Sequence, residues 1–232
     1  MEEYPNPSSC SGEYTPLPVN RTKEDAIRLY DRISVIYDYL ALSEVKYLER
    51  GVKLLNLRDG DMVLEIGSGT GRMLPLIAKE IGSLGTVCGL DISSGMITVA
   101  KRRLEGRDIS MQTELIQGDG TLLPFRDDSF SAAFMGFTLE LFDTPEIPVV
   151  LGEIWRVLKP GGKLAVVSLS REKETIPLKL YEWFHKKWPR YFDCRPIYVR
   201  RAIEKAGYYI ESGEMYRMFG LPVEIVLAVK PS

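Results

Sequence analysis

The chain has 232 residues, enough for one large domain with a buried core. Its 45% hydrophobic and 27% charged residues are a globular composition, which excludes disorder as the main state. Thirty basic against thirty-two acidic side chains give a formal charge of −2, which argues against a dedicated nucleic-acid binder.

Residues 1–20, MEEYPNPSSCSGEYTPLPVN, are acidic and proline-rich rather than basic and then apolar. They read as a loosely ordered arm and not as a secretory signal. Residues 21–232 read as a single domain, opening with N-terminal helices over 21–58. There Ile27, Tyr30, Ile33 and Ile36 recur three apart, and Leu40, Val45, Leu48, Val52 and Leu55 extend the apolar stripe. Thr22 and Asp25 stand where a cap and a first-turn acid belong.

After Asp59-Gly60 short apolar runs alternate with helical stretches. Strands are expected at 62–66, 86–90, 112–117, 130–137 and 163–169, and helices at 72–81, 94–104 and 147–158. Such alternation implies a parallel α/β sheet covered on both faces, with right-handed crossovers. The last third differs. Residues 171–198 form an aromatic-rich insertion with a helical stretch at 176–187, and 199–205 reads as a short helix. The stretches 207–218 and 222–229 then read as two closing strands in a hairpin.

No uncharged apolar run approaches the roughly 18–20 residues of a spanning helix. Cys10, Cys88 and Cys194 are odd in number and lack CxxC spacing, so neither a disulfide framework nor a metal site is expected. A reducing, cytoplasmic setting fits that usage.

The sharpest local feature is VLEIGSGTGR at 63–72, where Gly67, Gly69 and Gly71 follow a predicted strand and open a predicted helix. Glycines there let backbone approach a ligand, and helix amides favour negative groups. The spacing is G-x-G-x-G, with Arg72 after the third glycine and Glu65 two residues before the first. That pattern disfavours dinucleotide binding by the usual fingerprint. A second acid, Asp91, ends the next predicted strand, where a carboxylate can accept both hydroxyls of a ribose or can cap the following helix. After the third strand comes Gly118-Asp119-Gly120, able to accept from an exocyclic amine and donate to a ring nitrogen, or simply to turn the chain. One such feature after each of three consecutive strands describes a pocket for an adenosine-bearing ligand.

These motifs resemble those of the class I S-adenosylmethionine-dependent methyltransferases. VLEIGSGTGR is similar to the first motif, Asp91 to the ribose acid, GDGTLLPFRDDSF (118–130) to the adenine-side motif and RVLKPGGKL (156–164) to a later one. The resemblance runs from about Tyr37 to Val229. It implies a Rossmann-like, doubly wound seven-stranded sheet of order 3-2-1-4-5-7-6 with strand 7 antiparallel, and S-adenosylmethionine as cofactor, leaving as S-adenosylhomocysteine. It places Gly67, Ser68, Gly69, Thr70 and Gly71 along the methionine portion and Asp91 and Ile92 at the ribose. Asp119, Gly120 and Thr121 would flank the adenine, and Tyr37, Glu65, Met96 and Phe137 complete the implied cofactor set.

Within that family the chain is similar to the ubiquinone/menaquinone biosynthesis C-methyltransferases, through Tyr37-Asp38 and RVLKPGGKLAVVSLS. It departs from them at Tyr39-Leu40, at Ser168 and at GFTLELF (136–142). The acceptor implied is a small molecule, aromatic and quinone-like or lipid-like. A phospholipid amine or another metabolite methylated at nitrogen or sulfur, or a binding module without chemistry, stays open at this stage. Methyl transfer needs the acceptor held close in a water-poor pocket, and a base where a proton must leave. His185, the single histidine, Glu140 and Tyr181 are the catalytic candidates, with a solvated loop acid as the alternative for Glu140. Tyr181, Trp183, Phe184, Trp188, Tyr191 and Phe192 give the insertion the composition of a substrate lid or of a packed amphipathic helix. Lys186-Lys187-Trp188 leaves a peripheral membrane contact open, and a homodimer is equally open.

Overall fold

Runs rich in Val, Ile and Leu with no polar alternation are what a strand buried on both faces requires, and they form the centre of this molecule. The computed structural model describes residues 28, 43–106, 112–172, 177, 178, 181 and 195–232. Among these, the chain order is α1 (Val45–Leu54), β1 (Met62–Ile66), α2 (Leu74–Glu80), β2 (Thr86–Asp91), α3 (Ser94–Leu104) and β3 (Thr113–Gln117). It continues with β4 (Phe130–Gly136), α4 (Ile147–Val157), β5 (Leu158–Leu169), α5 (Val199–Lys205), β6 (Tyr209–Met218) and β7 (Leu221–Val229). One turn of 3₁₀-helix, Leu139–Leu141, lies between β4 and α4.

The seven strands make one sheet of order β3-β2-β1-β4-β5-β7-β6. β1 to β5 pair in parallel, and β7 runs antiparallel to both β5 and β6. This is the Rossmann-like topology that the resemblance implies. Leu64, Ile66, Leu90, Met135, Val166 and Val226 pack on one face with Val150, Ile154 and Ile203 of α4 and α5. Val63, Val87, Phe134, Val167 and Ile225 pack on the other with Val52 of α1 and Ile77 of α2.

Element boundaries moved for local reasons. β5 starts five residues before the predicted 163, since the Lys159–Gly162 turn is held by backbone bonds from Gly161 N to Lys230 O and from Lys230 N to Gly162 O, 2.9 Å each. α4 therefore stops at Val157. α2 starts at Leu74, two residues later than predicted, with Pro75 in the first turn where its missing N–H costs nothing.

Of the predicted N-terminal helices, α1 and the helical Arg28 are described, and the rest of 21–42, with Tyr30 and Tyr37, lies outside the described residues. So do the 1–20 arm and most of the aromatic insertion, including His185 and the Lys186-Lys187-Trp188 run, although Pro177, Leu178 and Tyr181 are helical. Among the described residues no helix is long and apolar enough to cross a membrane, and no cluster of three metal-ligating side chains occurs.

Candidate active site

β1 ends in the middle of the sheet, between β2 and β4. The strand order reverses there, and open α/β sheets form their ligand crevices outside the carboxyl ends of strands at such a point. Gly67, Gly69 and Gly71 follow at φ of +68°, +54° and +71°. All three are left-handed, a region where a Cβ is strained, yet their surroundings differ. A Cβ on Gly67 would stand 2.3 Å from the Thr138 side chain, and one on Gly71 2.9 Å from Ala100 Cβ on α3. A Cβ on Gly69 would meet nothing within 4 Å. Two of the glycines thus let the chain pack on itself, and the third faces open space.

The amides of this turn are already used. Gly67 N and Ser68 N donate to Leu90 O at 2.8 and 3.0 Å, Gly71 N to Ser68 O at 2.9 Å, and Gly69 N to Asp91 Oδ2 at 2.8 Å. These four amides are thus spent within the protein, and what the turn offers at Gly69 is space. From outside, Arg103 of α3 donates from Nε to Thr70 O at 2.9 Å and pins the turn.

Asp91, at the tip of β2, joins turn to strand. Besides the Gly69 amide, its Oδ1 accepts from Ser93 N at 2.9 Å. The helix cap is Ser93, whose Oγ accepts from Met96 N at 3.1 Å, so the capping alternative for Asp91 falls. Glu65 of β1 is buried and its Oε2 has no hydrogen-bond partner. Burial, and then the charge of Asp91, pushes its pKa up to about 8. An orphaned acid beside another acid is suited to a cation. Ser68 Oγ, also buried, has no partner either.

On the β3 side, Asp119 Oδ1 accepts from Thr121 N at 2.9 Å and Thr121 Oγ1 at 2.8 Å, which rigidifies the turn. Gly120 leaves room for Phe142, whose Cζ would lie 3.0 Å from a Cβ there, with Ile66 Cγ2 at 3.2 Å. The 118–130 loop is clamped to α4 by Arg156, which donates from Nη2 to Leu123 O at 3.0 Å and from Nη1 to Phe125 O at 2.7 Å. Glu153 beside it accepts from Leu123 N at 2.8 Å. Ile92 is half-buried and Met96 buried in the first turn of α3. Phe137 is buried just after β4 with a left-handed φ of 48°, held by its N–H donating to Val167 O at 2.7 Å.

Glu140 corrects the sequence reading in one respect. It is 0% exposed, so it is no solvated loop acid. Its Oε1 accepts from Leu169 N at 3.2 Å and its Oε2 has no partner. Burial pushes its pKa up to about 8, against the pull of backbone hydrogen bonds, that from Leu169 N among them, and with the nearby charge of Glu44 adding to the rise. Fully buried Arg195 donates to Phe142 O at 2.6 Å and Thr144 Oγ1 at 3.0 Å, close to Asp143 and Glu140. Glu44, just before α1, is itself raised to about 7 by burial.

The strand ends thus gather Glu65, Gly67–Gly71, Asp91 and the 118–121 turn, with Glu140 after β4. Tyr181 packs instead with apolar residues on the α1–α2 face, and Tyr37 and His185 lie outside the described residues. Glu44, Thr138, Phe142 and Arg195 escaped sequence reasoning, because nothing local marks a side chain that matters only through a distant neighbour. Arg156 carried a readable signal, an acid three residues earlier on a predicted helix face.

A protein-family profile described as "Methyltransferase domain" matches residues 63–162. A demethylmenaquinone methyltransferase of Lactobacillus johnsonii is 30% identical over 174 residues, covering 73% of this chain and 70% of that protein. Another of the same name from Symbiobacterium thermophilum is 31% identical over 225 residues, covering 88% and 87%. Among solved structures, the [4+2]-cyclase SpnF shares the fold with a TM-score of 0.75 at 18% identity, over 94% of this chain and 99% of that one.

Proposed function

This chain belongs to the class I S-adenosylmethionine-dependent methyltransferase family, and we propose that its acceptor is a reduced, quinone-like aromatic ring methylated at carbon. One observation carries the reading: Glu140, in the 3₁₀ turn that follows β4, is a fully buried carboxyl with an unpartnered oxygen and a pKa raised to about 8. A general base works best with a pKa near the working pH and within reach of the proton it takes. The names of the relatives support a ring of the quinone class. A methyl on a sulfonium is an electrophile, so the ring has to be in its electron-rich hydroquinone form, and a ring carbon that gains a methyl must lose a proton.

The crevice fits S-adenosylmethionine by its own features. The orphaned Glu65 carboxyl suits the amino-acid ammonium, and the open space at Gly69 suits the methionine chain, lined by Gly67, Ser68, Thr70 and Gly71. Asp91 would accept the ribose hydroxyls, with Ile92 beside it. The Asp119–Thr121 turn, backed by Met96 and Phe142, would hold the adenine, and buried Phe137 would keep water from the reacting end. When bound, S-adenosylmethionine supplies the methyl group on its sulfonium. The protein's part is then to hold the acceptor ring in line, exclude water, and take the acceptor's proton on Glu140.

The test is transfer of labelled methyl from S-adenosylmethionine to demethylmenaquinone, reduced against oxidised. Label should enter the reduced form only. Glu140→Gln should lower kcat by roughly 10²–10⁴-fold, the scale of general-base catalysis, while calorimetric affinity for S-adenosylmethionine stays near wild type. Label in an amine lipid instead of the ring would refute the acceptor, and an active Glu140→Gln variant would refute the base.

A further inference from the structure

We propose that the tip of the β6–β7 hairpin, with Phe219 as its anchor and Lys46 and Arg217 as its cations, docks on an anionic lipid bilayer. Entry of the acceptor from that bilayer rests on the quinone-like reading above, whereas the docking itself does not. Phe219 stands in a two-residue turn at a left-handed φ of 50°, a place that suits Asn or Gly. Its ring is 85% exposed, so the chain gains no packing in return for the strain. Strain held at an exposed apolar tip points to a use outside the molecule.

The tip is held firmly. Tyr47 of α1 donates from its hydroxyl to Arg217 O at 2.7 Å, and its ring meets that of Tyr216 edge to face at 5.7 Å. On the other side a Cβ on Gly220 would lie 3.1 Å from Pro177 Cγ. Between the start of α1 and the end of β6 runs an open groove of about 400 Å³, with Lys46 on one wall and Arg217 and Phe219 on the other. Both cations are exposed. Glu49 is the acid among the groove's lining residues, and the nearby Arg50 and Glu214 neutralise one another as an ion pair. The charge left around the ring is basic, which complements anionic headgroups.

Position joins this surface to the site. Val223 of β7 pairs with Leu169, the last residue of β5, and Leu169 N donates to Glu140. The tip therefore lies beyond the carboxyl end of β5, on the edge of the sheet where the crevice opens. Phe219 is four residues from Val223, about 13 Å along an extended chain. A two-residue tip offers far less than the roughly 800 Å² per partner that a stable protein interface buries. A bilayer asks only for a ring at the level of the headgroups and cations beside it.

The experiment is co-sedimentation of the full chain with phosphatidylglycerol vesicles and, separately, with phosphatidylcholine vesicles. Wild type should pellet with the anionic vesicles and be released by salt. Phe219→Asn should weaken that binding about tenfold or more, the effect of withdrawing one buried aromatic side chain. Lys46→Ala and Arg217→Ala should each weaken it about fivefold, and they decide the matter should Phe219→Asn melt below wild type. Wild type left in the supernatant, or variants that pellet as wild type does, overturns the proposal. So does a wild-type dimer in solution that Phe219→Asn turns into a monomer, which would give the tip to a second copy. Entry is read with reduced demethylmenaquinone held in the same vesicles: Phe219→Asn should slow its methylation about tenfold and leave that of a tailless, water-soluble hydroquinone unchanged. Equal slowing of both overturns entry from the bilayer. If wild type methylates neither, the acceptor reading fails while vesicle binding upholds the docking.

Discussion

Gly67 and Gly69 have nearly the same backbone conformation and should fail in different ways when a methyl group is added. A Cβ on Gly67 would lie 2.3 Å from Thr138, an overlap that forces core atoms apart and costs about 1–3 kcal/mol or more on top of the left-handed strain. Gly69→Ala carries only the strain, about 1–2 kcal/mol, because nothing in the protein lies within 4 Å. If that open space is where the methionine chain runs, Gly69→Ala should weaken S-adenosylmethionine at least about tenfold, the effect of roughly 1.4 kcal/mol. Melting temperature and calorimetric Kd, measured on both variants, separate the two. Equal losses of stability with equal losses of affinity would show that the turn serves packing alone.

At the scale of elements, the β6–β7 hairpin shows what local rules decide and what they do not. Met218 pairs directly with Leu221, so Phe219-Gly220 is a two-residue turn, and both residues are left-handed at φ of 50° and 84°. That is the geometry for which Asn-Gly is preferred, yet position 219 holds an aromatic ring that is 85% exposed. Phe219→Asn removes strain and loses almost no burial, so it should raise stability by about 0.5–1 kcal/mol, read as a higher denaturant midpoint at unchanged slope. The hairpin itself was legible from its two apolar runs, as were the β1–β5 alternation, α3 and α5, since each rests on periodicity within one segment. Asp91 and the glycine turn were legible for the same reason: type and spacing carry their meaning locally. The early start of β5 was not, because it depends on Lys230 pairing across the sheet. Nor was the burial of Glu140, which is set by β5 and Arg195 closing over a short 3₁₀ turn, and a loop position in sequence is ordinarily a solvated one.

Across the whole molecule the buried acids set how stability follows pH. Glu65 and Glu140 are raised to about 8 and Glu224 to about 7, by burial first in each case. An unfolded glutamate gives up its proton near pH 4.3, so between that pH and about 7–8 the folded protein holds protons the unfolded chain has lost. Stability therefore falls as pH rises through this window, by at most about 1.4 kcal/mol per pH unit for each such group. Glu153 and Glu214 run the other way. The Arg156 and Arg50 hydrogen bonds lower them, so their contribution is present above pH 4.3 and lost as pH falls below it. The two trends place the melting temperature of the ligand-free protein highest near about pH 5, declining toward pH 8. A cation seated against Glu65 favours its ionised form, so saturating S-adenosylmethionine should raise the melting temperature more at pH 8 than at pH 6 and release protons on binding at pH 7. Melting curves across that range, with calorimetry in buffers of different ionisation enthalpy, check both statements. A flat profile without ligand would mean that water reaches these acids, and proton-neutral binding would mean that Glu65 does not meet the cation.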